Sequence, residues 1–522
     1  MSKVYFKDKD GTKKLLTEDI WNALSSGSDI SDDSDDDPTI DPNILFNDLD
    51  TVEQSESDCD VLEEDDINND ENVEINLPST SKQNAAKKPT KKRKVKKTML
   101  WKLGNLKPDP NSIAFSGDSS LPDNVTSLQT AFMFFSYFFP DELFQHIAEQ
   151  TSLYSAQKRI NQPVKIEPND IRKYLGICIL SSVAKFKNIR LFWNPVVGID
   201  LVSRTMSLNN FELIRQFLHL NDNTLCDSED KLFKLRPVID ILKEKFLSIP
   251  MEESLCVDEQ MCATKARHHM KQYMPKKPHK YGFKLFVLAG VSGYAYNFEV
   301  YTGASNSTLQ DIPDDLGASG SVVVRLTRPV PEHQNFKLYF DNYYTSVPLM
   351  TYLKGKGILC LGTVKSDRVP SSKIPNKKEM KKMTRGTIIE YVANEGGCEV
   401  SNLAWQDNKT VQMLSTFAGK SPVKDVSRYD RKTKSRISIP CPQVIQIYNK
   451  HMGGVDLHDS LLGRYKISMR TRKWYFRLFY HLLDLAIINS WLLYRRVKPG
   501  GGKTMKLIEF RLEIAETLCS YR

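Results

Sequence analysis

The sequence predicts an α/β protein in which a mixed five-stranded sheet with helices is inserted in an all-helical domain and preceded by a disordered tail. Three observations predict this fold. Apolar residues recur at helical spacing through residues 127–157 and 168–186. Between residues 254 and 364, short apolar or alternating runs rich in β-branched and aromatic residues are typical of strands. Residues 29–74 contain twenty acidic residues and no lysine or arginine. Their charges repel one another and few apolar side chains are available to form a core, so this segment should be disordered.

Charge divides the chain into an acidic tail and a basic body. The whole chain has 73 Lys+Arg and 64 Asp+Glu, a net charge of +9. Residues 1–81 hold 5 lysines and 24 acidic residues, or −19, so the other 441 residues carry +28. So basic a body indicates a nucleic-acid partner and argues against an ordinary metabolic enzyme. The tail is either a solvated appendage or a segment that recruits nuclear partners.

A basic block ends the tail. Residues 87–97, KKPTKKRKVKK, have eight Lys or Arg in eleven positions. This pattern is typical of a nuclear localisation signal, and the alternative is a nonspecific DNA-binding arm. We therefore expect the protein in the nucleus. The residues assigned to the signal are Lys91, Lys92, Arg93, Lys94, Lys96 and Lys97.

Other compartments are disfavoured. The nine cysteines form no tight cluster, which argues against a disulfide scaffold. The first residues carry charges where a secretory signal needs an apolar core. The most apolar long stretch, residues 474–494, contains Arg477, His481 and Asp484. It therefore predicts a buried helix, and no membrane partner is expected.

Changes of pattern divide the chain into six predicted segments. They are the acidic tail with its basic end (1–97), a helical segment (98–250), the first part of the sheet (251–365), an insertion (366–440), the second part of the sheet domain (441–468) and a last helical segment (469–522). In the first helical segment, SLNNFELIRQFLHL begins with a capping serine before apolar residues at helical spacing. The insertion is lysine-rich and has short strand-like pieces without sustained periodicity.

The strands of the sheet are predicted one by one. The runs that predict them are residues 254–258, 284–291, 295–302, 336–340 and 358–364. Ser-Gly-Tyr separates the second run from the third, which is typical of a hairpin. The helix VPLMTYLKGKG lies between the last two runs, and a strand–helix–strand unit is typical of parallel strands. The sheet should therefore be mixed.

Four aspartates stand where the sheet and a helix could bring them together. Asp258 ends the first strand run, Asp341 follows the fourth, and Asp456 and Asp459 lie at the start of a helix. Because ligands gather outside the carboxyl ends of strands, Asp258 and Asp341 should converge if their strands are neighbours. The i, i+3 spacing puts Asp456 and Asp459 on one helical face. Such a cluster favours a hard cation such as Mg²⁺, whereas each aspartate alone could be a turn residue or helix cap.

Two basic groups lie near these aspartates in the sequence. The first is Lys276, Lys277, Lys280 and Lys284 with His279, and the second is Arg464, Lys466, Arg470, Arg472, Lys473 and Arg477, interleaved with aromatic residues that include Trp474. Cations contact phosphates and aromatic rings stack on unpaired bases, so both groups are predicted to bind nucleic acid. The alternatives are a solvated face for the first group and a core aromatic for Trp474.

No structural zinc is expected. Cys256 and Cys262 precede His268 and His269, but five residues between the cysteines is not a usual zinc spacing. Both thiols flank a strand that is predicted to be buried, where cysteine acts as a small apolar residue.

Six sequence blocks closely resemble those of the piggyBac-type transposases and the proteins derived from them. In chain order they are MSLNNFELIRQFLHLNDN, SLCVDEQM, KPHKYGFKLFVLAG, KLYFDNYYTSVPLM, YNKHMGGVDLHDSLLGRY and RTRKWYFRLFYHLLDLAIINSWLLY. They follow the order of the family and extend over roughly residues 100–520. The chain is therefore identified as a member of this family.

The resemblance implies a fold and a domain arrangement. Residues 251–365 and 441–468 should form an RNase H-like catalytic core, and residues 98–250 and 469–522 a helical DNA-binding and dimerisation domain. The family also usually ends in a cysteine-rich, zinc-binding domain that reads terminal DNA. Because Cys519 is the only cysteine after Asp459, that domain is expected to be missing.

The resemblance also implies a chemistry. Asp258, Asp341 and Asp456 match the three essential aspartates of this DDD-type family, and Asp459 matches the aspartate close behind the third. They should hold two Mg²⁺ ions, one activating the attacking hydroxyl and one stabilising the leaving oxygen. The expected partners are double-stranded DNA, as transposon ends and a TTAA target, and a second copy of the chain. Trp474 matches a tryptophan implicated in handling the DNA end.

Two functions remain open from the sequence. The first is a nuclear transposase that cleaves and joins DNA strands, which the intact aspartates favour. The alternative is a domesticated or truncated descendant that binds DNA or chromatin without productive transposition, which the expected loss of the cysteine-rich domain favours.

Overall fold

The structure, a computed structural model, describes most of the chain beyond the tail. The described residues are 98–226, 229–275, 277, 279–303, 312–430, 433–471, 473–498 and 504–521, with two short strands near the N-terminus. Two compact units are present, Met1–Val95 and Lys96–Arg522. In the first unit, β1 (Tyr5–Lys7) pairs antiparallel with β2 (Lys13–Leu15). The acidic segment and the basic block, predicted as disordered tail and nuclear signal, lie outside the described residues.

Helices dominate the first part of the second unit, as the apolar spacing predicted. After the short β3 (Lys102–Leu103) come α1 (Asp123–Thr126), α2 (Ala131–Phe138), α3 (Asp141–Lys158), α4 (Pro168–Val183), α5 (Asp200–Thr205), α6 (Leu208–Phe217) and α7 (Arg236–Leu247). The cap predicted at Ser207 is present, since its side chain accepts from the Asn210 N–H at the start of α6. Pro140 ends α2 and begins α3, because a proline has no N–H to continue the preceding helix.

The predicted strands form one end of a large mixed sheet. They are β4 (Ser254–Ala263), β6 (Tyr281–Gly290), β7 (Ala295–Val300), β8 (Lys337–Phe340) and β9 (Leu359–Thr363), with the short β5 (Lys271–Tyr273) on the far side of β6 from β4. β4 pairs antiparallel with β6 and parallel with β8, and β8 pairs parallel with β9. The helix α8 (Gly317–Thr327) precedes β8, and α9 (Val347–Gly355) joins β8 to β9. The prediction of a mixed α/β sheet is confirmed.

The segment predicted as an insertion extends this sheet. After the one-turn α10 (Lys377–Met380), it contains β10 (Ile388–Glu395), β11 (Cys398–Gln406), β12 (Thr410–Ser415), β13 (Lys424–Asp430) and β14 (Ser435–Cys441). β12 pairs antiparallel with β9, and β11, β10 and β3 follow outward. β13 and β14 form a separate hairpin. The lysine-rich start of the segment therefore leads into strands that continue the sheet beyond β9.

The last part of the chain is helical and packs against the helices of the segment 98–250. Its helices are α11 (Gln443–His451), α12 (Gly454–Arg464), α13 (Trp474–Val497) and α14 (Leu507–Cys519). The hydroxyls of Tyr174 on α4 and Tyr480 on α13 lie 2.6 Å apart in the core. The Arg511 guanidinium on α14 donates to the Ser182 hydroxyl on α4 at 2.9 Å. The sheet is thus an insertion between two helical segments that pack together.

α13 is an apolar helix with polar residues at specific contacts. The Asn489 side chain accepts from the Ala295 N–H of β7 at 2.9 Å and donates to its carbonyl at 2.8 Å. Asp484 and Arg511, both fully buried, form an ion pair of 2.6 Å. These partners explain why polar groups interrupt so apolar a stretch, which is buried from Tyr475 to Tyr494 except at Arg477. Among the described residues, no helix is long and apolar enough to cross a membrane.

Candidate active site

Asp258 and Asp341 lie side by side on the sheet. β4 and β8 are parallel neighbours, and Val257 pairs with Phe340. Asp258 and Asp341 each follow one residue later, so the register of the pair puts them on the same face. Asp258 and Asp341 were expected to converge if their strands were neighbours, and the strands are neighbours. Only Asp341 takes part in a turn, as the alternative interpretation expected, since it accepts from the Tyr343 N–H at 2.7 Å just after β8. Asp258 was predicted to end its strand, but β4 continues through it to Ala263 because the residues that follow also pair with β6.

α12 brings the other two aspartates to that face. Gly454, at its start, approaches Cys256 so closely that a Cβ there would lie 2.9 Å from the Cys256 Sγ. Cys256 and Asp258 point to the same side of β4, because side chains alternate along a strand. Asp456 and Asp459 follow Gly454 within the first turns of the helix, Asp456 exposed and Asp459 half-buried. The absence of a side chain at Gly454 therefore sets how near these carboxylates come to the sheet.

Lys277 places a cation between these elements. Its Nζ lies 3.6 Å from the Asp456 Oδ1, and its side chain is only 19% exposed. Burial alone would lower the pKa of Lys277, but Asp258, Asp456 and Asp459 raise it above its ordinary value. The prediction assigned Lys277 to nucleic-acid binding; in the structure its ammonium contacts the acidic cluster. Its neighbour Lys276 lies outside the described residues.

The carboxyl groups are short of positive charge. Burial raises the pKa of Asp258 well above its usual range, and Glu259 adds to this while Lys277 opposes it. Burial likewise raises the pKa of Asp341, with Glu259 again contributing. For Asp459, burial raises the pKa to about 6 against the opposing charges of Lys277 and Lys466. Buried carboxylates whose charge is only partly balanced favour protonation or a bound cation.

Glu259 is a carboxylate that the sequence analysis missed. Its side chain pairs with the Lys284 Nζ at 2.9 Å, and both side chains are nearly buried, at 10% and 13% exposure. Although burial alone would raise the pKa of Glu259, Lys284 holds it below its usual range. Lys284 was predicted to bind nucleic acid, and in the structure its ammonium is paired with Glu259. The available signal was the cross-strand spacing, since Glu259 pairs with Phe286 and lies diagonally to Lys284.

The donor chemistry of the cluster fits Mg²⁺. Carboxylate oxygens from Asp258, Asp341, Asp456 and Asp459 are the hard ligands that this ion takes, one or two at a time with substrate phosphates. Within the part of the chain that the structure describes, no three His, Cys, Asp or Glu side chains lie close enough together to hold a metal. The Lys277 ammonium instead contacts Asp456 and interacts electrostatically with Asp258 and Asp459.

The residues considered for zinc have other surroundings. Cys256 and Cys262 are buried in β4, and the Cys262 Sγ lies 3.5 Å from the Arg477 carbonyl. The His268 ring stacks on Trp474 with centroids 4.6 Å apart. Trp474 is half-buried at the first position of α13, so it is neither fully in the core nor free in solvent.

The second basic group contributes to a cleft between α6 and the α12–α13 connection. The cleft has a volume of about 400 Å³ and is lined by Arg190, Glu212, Arg215, Gln216, Arg470, Thr471, Lys473 and Phe476. Glu212 is paired with Arg190 at 2.8 Å, so the remaining cations give the cleft a positive charge. Burial, with Lys234 nearby, lowers the pKa of Lys473 to about 8. Arg190 and Arg215 were not predicted as site residues, because they lie far from the other cations in sequence.

The other predicted cations lie near or outside this cleft. Arg464 is exposed at the end of α12, and Lys466 is half-buried within electrostatic reach of Asp459. Lys280 is exposed in the β5–β6 loop. Arg472 lies outside the described residues.

Comparisons with known proteins identify the family. Residues 130–491 match the family described as Transposase IS4. The human PiggyBac transposable element-derived protein 3 is 30% identical over 441 residues, 83% of this chain and 71% of that protein. The human PiggyBac transposable element-derived protein 2 is 31% identical over 416 residues, 78% of this chain and 69% of that protein. The chain belongs to the piggyBac transposase family.

A solved structure shares the fold of this piggyBac family member. The cryo-EM structure of a piggyBac transposase synaptic complex with hairpin DNA matches with a TM-score of 0.64, covering 77% of this chain and 83% of that one. The sequences are 22% identical, so the match concerns the fold. The resemblance drawn from the six sequence blocks is thus confirmed, together with the mixed α/β architecture.

Proposed function

We propose that the chain is a piggyBac-type transposase that cleaves DNA strands and transfers them to a target. The observation that carries this proposal is the position of Asp258 and Asp341 on adjacent parallel strands, with α12 presenting Asp456 and Asp459 to the same face. In this proposal Asp258, Asp341 and Asp456 hold Mg²⁺, and Asp459 supports them.

The strand order supports an RNase H-like catalytic core. The spatial order β7–β6–β4–β8–β9 has β6 antiparallel to β4 and the last three strands parallel. Asp258 lies on the central β4 and Asp341 at the end of its neighbour. The two carboxylates thus lie where the pairing of β4 with β8 ends, and we propose that a DNA phosphate approaches there.

The residues of the chain have distinct roles in this chemistry. Bound Mg²⁺ supplies a Lewis acid that activates the attacking hydroxyl and stabilises the leaving oxygen. The aspartates would hold the ion against the scissile phosphate through their carboxylate oxygens, and the positive cleft lined by Arg215, Arg470 and Lys473 holds flanking backbone phosphates. Trp474, half-buried and stacked on His268, offers an aromatic ring on which an unpaired base can stack.

The proposal also includes the DNA substrate, the oligomeric state and the cellular location. The substrate is double-stranded DNA, as transposon ends and a TTAA target, and the active form is a homodimer that holds two ends. The basic block directs the chain to the nucleus, and the acidic tail meets nuclear partners there. A reporter fused to residues 85–100 should concentrate in nuclei; an even distribution through the cell would contradict the assignment.

DNA nicking tests the catalytic proposal. Duplex DNA carrying the terminal repeats that flank the gene is incubated with Mg²⁺ and the native chain, Asp341→Ala or Asp367→Ala. Asp367 is an exposed aspartate close to Asp341 in sequence and serves as the matched control. The native chain and the control should nick the DNA, and Asp341→Ala should lose activity at least about a hundredfold. If the native chain nicks the DNA no faster than Asp341→Ala does, while both bind it, the chain is a domesticated DNA-binding protein instead.

A further inference from the structure

The loop between β5 and β6 holds Lys277 in a defined place. The Met274 N–H donates to the Lys280 carbonyl at 2.8 Å, and the Lys277 N–H donates to the Met274 carbonyl at 3.2 Å. These two backbone bonds bring Lys277 and Lys280 next to Met274, at the end of β5.

The surroundings of Lys277 differ from those of an ordinary surface ion pair. Its ammonium is largely buried, lies 3.6 Å from Asp456 and interacts with Asp258, Asp459 and Glu259 as well. Exposed pairs contribute little because water screens them, whereas this cation faces several carboxylates at once. Each of those carboxylates except Glu259 belongs to the proposed metal site.

We propose that Lys277 is a built-in counter-ion, which occupies the cation position among Asp258, Asp456 and Asp459 in the metal-free chain and leaves when a divalent ion binds. This inference rests on the proposed function, since it concerns the same carboxylates. It accounts for two findings on the described residues: a lysine ammonium contacts Asp456 and interacts with Asp258 and Asp459, and the aspartates form no three-ligand metal cluster. An ammonium and a divalent cation compete for the same oxygens, so Lys277 weakens metal binding.

The displaced ammonium gains a new partner when DNA is present. The β5–β6 loop also carries the exposed Lys280, so the released Lys277 lies on a basic loop beside the proposed path of the phosphate backbone. DNA that captures this ammonium removes the competitor of the metal. Because coupling between two ligands is reciprocal, DNA should then tighten metal binding in the native chain. Lys277 is in this sense a positioning residue that links metal occupancy to DNA.

Mn²⁺ binding to the full chain tests the proposal without any cleavage. Free Mn²⁺ is followed by electron paramagnetic resonance for the native chain, Lys277→Gln, Lys277→Arg and Asp258→Asn. Lys277→Gln should bind Mn²⁺ about tenfold more tightly, since removal of a nearby cation strengthens the field of the carboxylates. Lys277→Arg keeps the charge and should stay within about twofold of the native chain. A merely structural lysine would give weaker metal binding on removal.

Lys280→Gln is the matched control, because it removes the same charge from the same loop at an exposed position. Its Mn²⁺ affinity should be unchanged, since solvent screens exposed charges. Addition of a short duplex should tighten Mn²⁺ binding to the native chain and have less effect on Lys277→Gln. Equal or weaker Mn²⁺ binding by Lys277→Gln would overturn the proposal.

A second measurement uses the native chain and avoids any folding defect of a variant. Lysines are acylated with an N-hydroxysuccinimide ester, with and without Mn²⁺, and quantified by mass spectrometry. The ratio of modification at Lys277 to that at Lys280 should rise severalfold on metal binding. An unchanged ratio at saturating Mn²⁺ means that Lys277 stays in place, which contradicts displacement. If Asp258→Asn binds Mn²⁺ as the native chain does, the metal site itself is wrong, and the proposed function fails separately.

Discussion

Asp258 and Asp341 occupy equivalent positions on adjacent parallel strands, one residue beyond the Val257–Phe340 pair. Without metal, burial raises the pKa of both carboxyl groups, so the ionised pair is unfavourable near neutral pH. Asp258→Asn should therefore stabilise the metal-free chain by about 1–2 kcal/mol, because a neutral amide costs less to bury. Thermal melting in the presence of a chelator measures this. Mg²⁺ should raise the melting temperature of the native chain and leave that of Asp258→Asn unchanged; a destabilised metal-free variant would contradict the prediction.

Asp459 should make the stability of the metal-free chain depend on pH. Burial raises its pKa from the ordinary 3.8 to about 6. Below about pH 4 the group is protonated in both the folded and unfolded states, and its stabilising contribution is fully present. As the pH rises through 6 that contribution is lost, and the free energy of unfolding falls by no more than about 3 kcal/mol. Partial exposure of the side chain reduces this value.

The measurement for Asp459 is a series of denaturant titrations between pH 4 and 7 with a chelator present. Asp459→Asn should remove this part of the pH dependence, since an amide does not titrate. His458, beside it, is buried, and burial lowers its pKa to about 4, which gives the opposite slope in the same range. The difference between the native and Asp459→Asn curves gives the contribution of Asp459 to the pH dependence of the free energy of unfolding. Parallel curves would show that Asp459 does not titrate as expected.

Gly454 and Gly463, both on α12, should respond oppositely to replacement by alanine. A Cβ at position 454 would collide with the Gly290 carbonyl and lie 2.9 Å from the Cys256 Sγ, whereas nothing lies within 4 Å at Gly463. Gly454→Ala should push α12 and its aspartates away from the sheet and lower strand cleavage at least about tenfold. Gly463→Ala should keep full activity and stabilise the helix by about 0.5–1 kcal/mol. Nicking assays with thermal melts measure both effects; equal activity of the two variants would contradict close packing at Gly454.

The sequence predicted the parts of the fold that local pattern controls. β4, β6, β7, β8 and β9 were predicted because each is a compact apolar run with a turn on either side. The continuation of the sheet through β10 to β12 was not predicted, since the strand that pairs with β9 is β12, about fifty residues later. Pairing at such distance depends on tertiary packing, which no local pattern shows.

The same distinction applies to the candidate site. Asp341 could be predicted because it follows a strand, and the sequence blocks marked both aspartates; the position of Asp258 was predicted wrongly as a strand end, since β4 continues to Ala263. Lys277 was assigned to DNA, since a sequence shows that a lysine is basic and not what its ammonium faces. Glu259 was overlooked because its partner Lys284 lies on another strand. Contacts between strands decide which charges remain free for a ligand.

The buried ion pair between Asp484 and Arg511 should be essential for stability. Both side chains are fully buried at a separation of 2.6 Å, and Asp484 also accepts from the Ile467 N–H at 2.9 Å. Asp484→Asn retains an acceptor for Ile467 but leaves the Arg511 charge unpaired, which should cost about 3–5 kcal/mol. Urea titration measures the change. The exposed pair of Asp200 and Arg204 is the control, where Asp200→Asn should cost less than about 1 kcal/mol. Similar losses at the two sites would contradict the importance of burial.

The positive cleft should contribute to DNA affinity through phosphate contacts. Arg215 and Arg470 line it from two different segments, and Arg470 is exposed. The double variant Arg215→Gln/Arg470→Gln, made with Asp341→Asn to prevent cleavage, should weaken duplex binding similarly for all sequences. The slope of log affinity against log salt should become shallower by about one to two, because each lost phosphate contact retains close to one counter-ion on the DNA.

Fluorescence anisotropy with a labelled duplex at several salt concentrations measures this slope. Arg204→Gln, in the same Asp341→Asn background, is the matched control, since Arg204 is an exposed arginine of the same helical segment that does not line the cleft. Its salt slope should equal that of Asp341→Asn alone. An unchanged slope in the double variant would mean that the cleft does not contact phosphates. A loss restricted to one DNA sequence would instead indicate base contacts, because backbone contacts carry no sequence information.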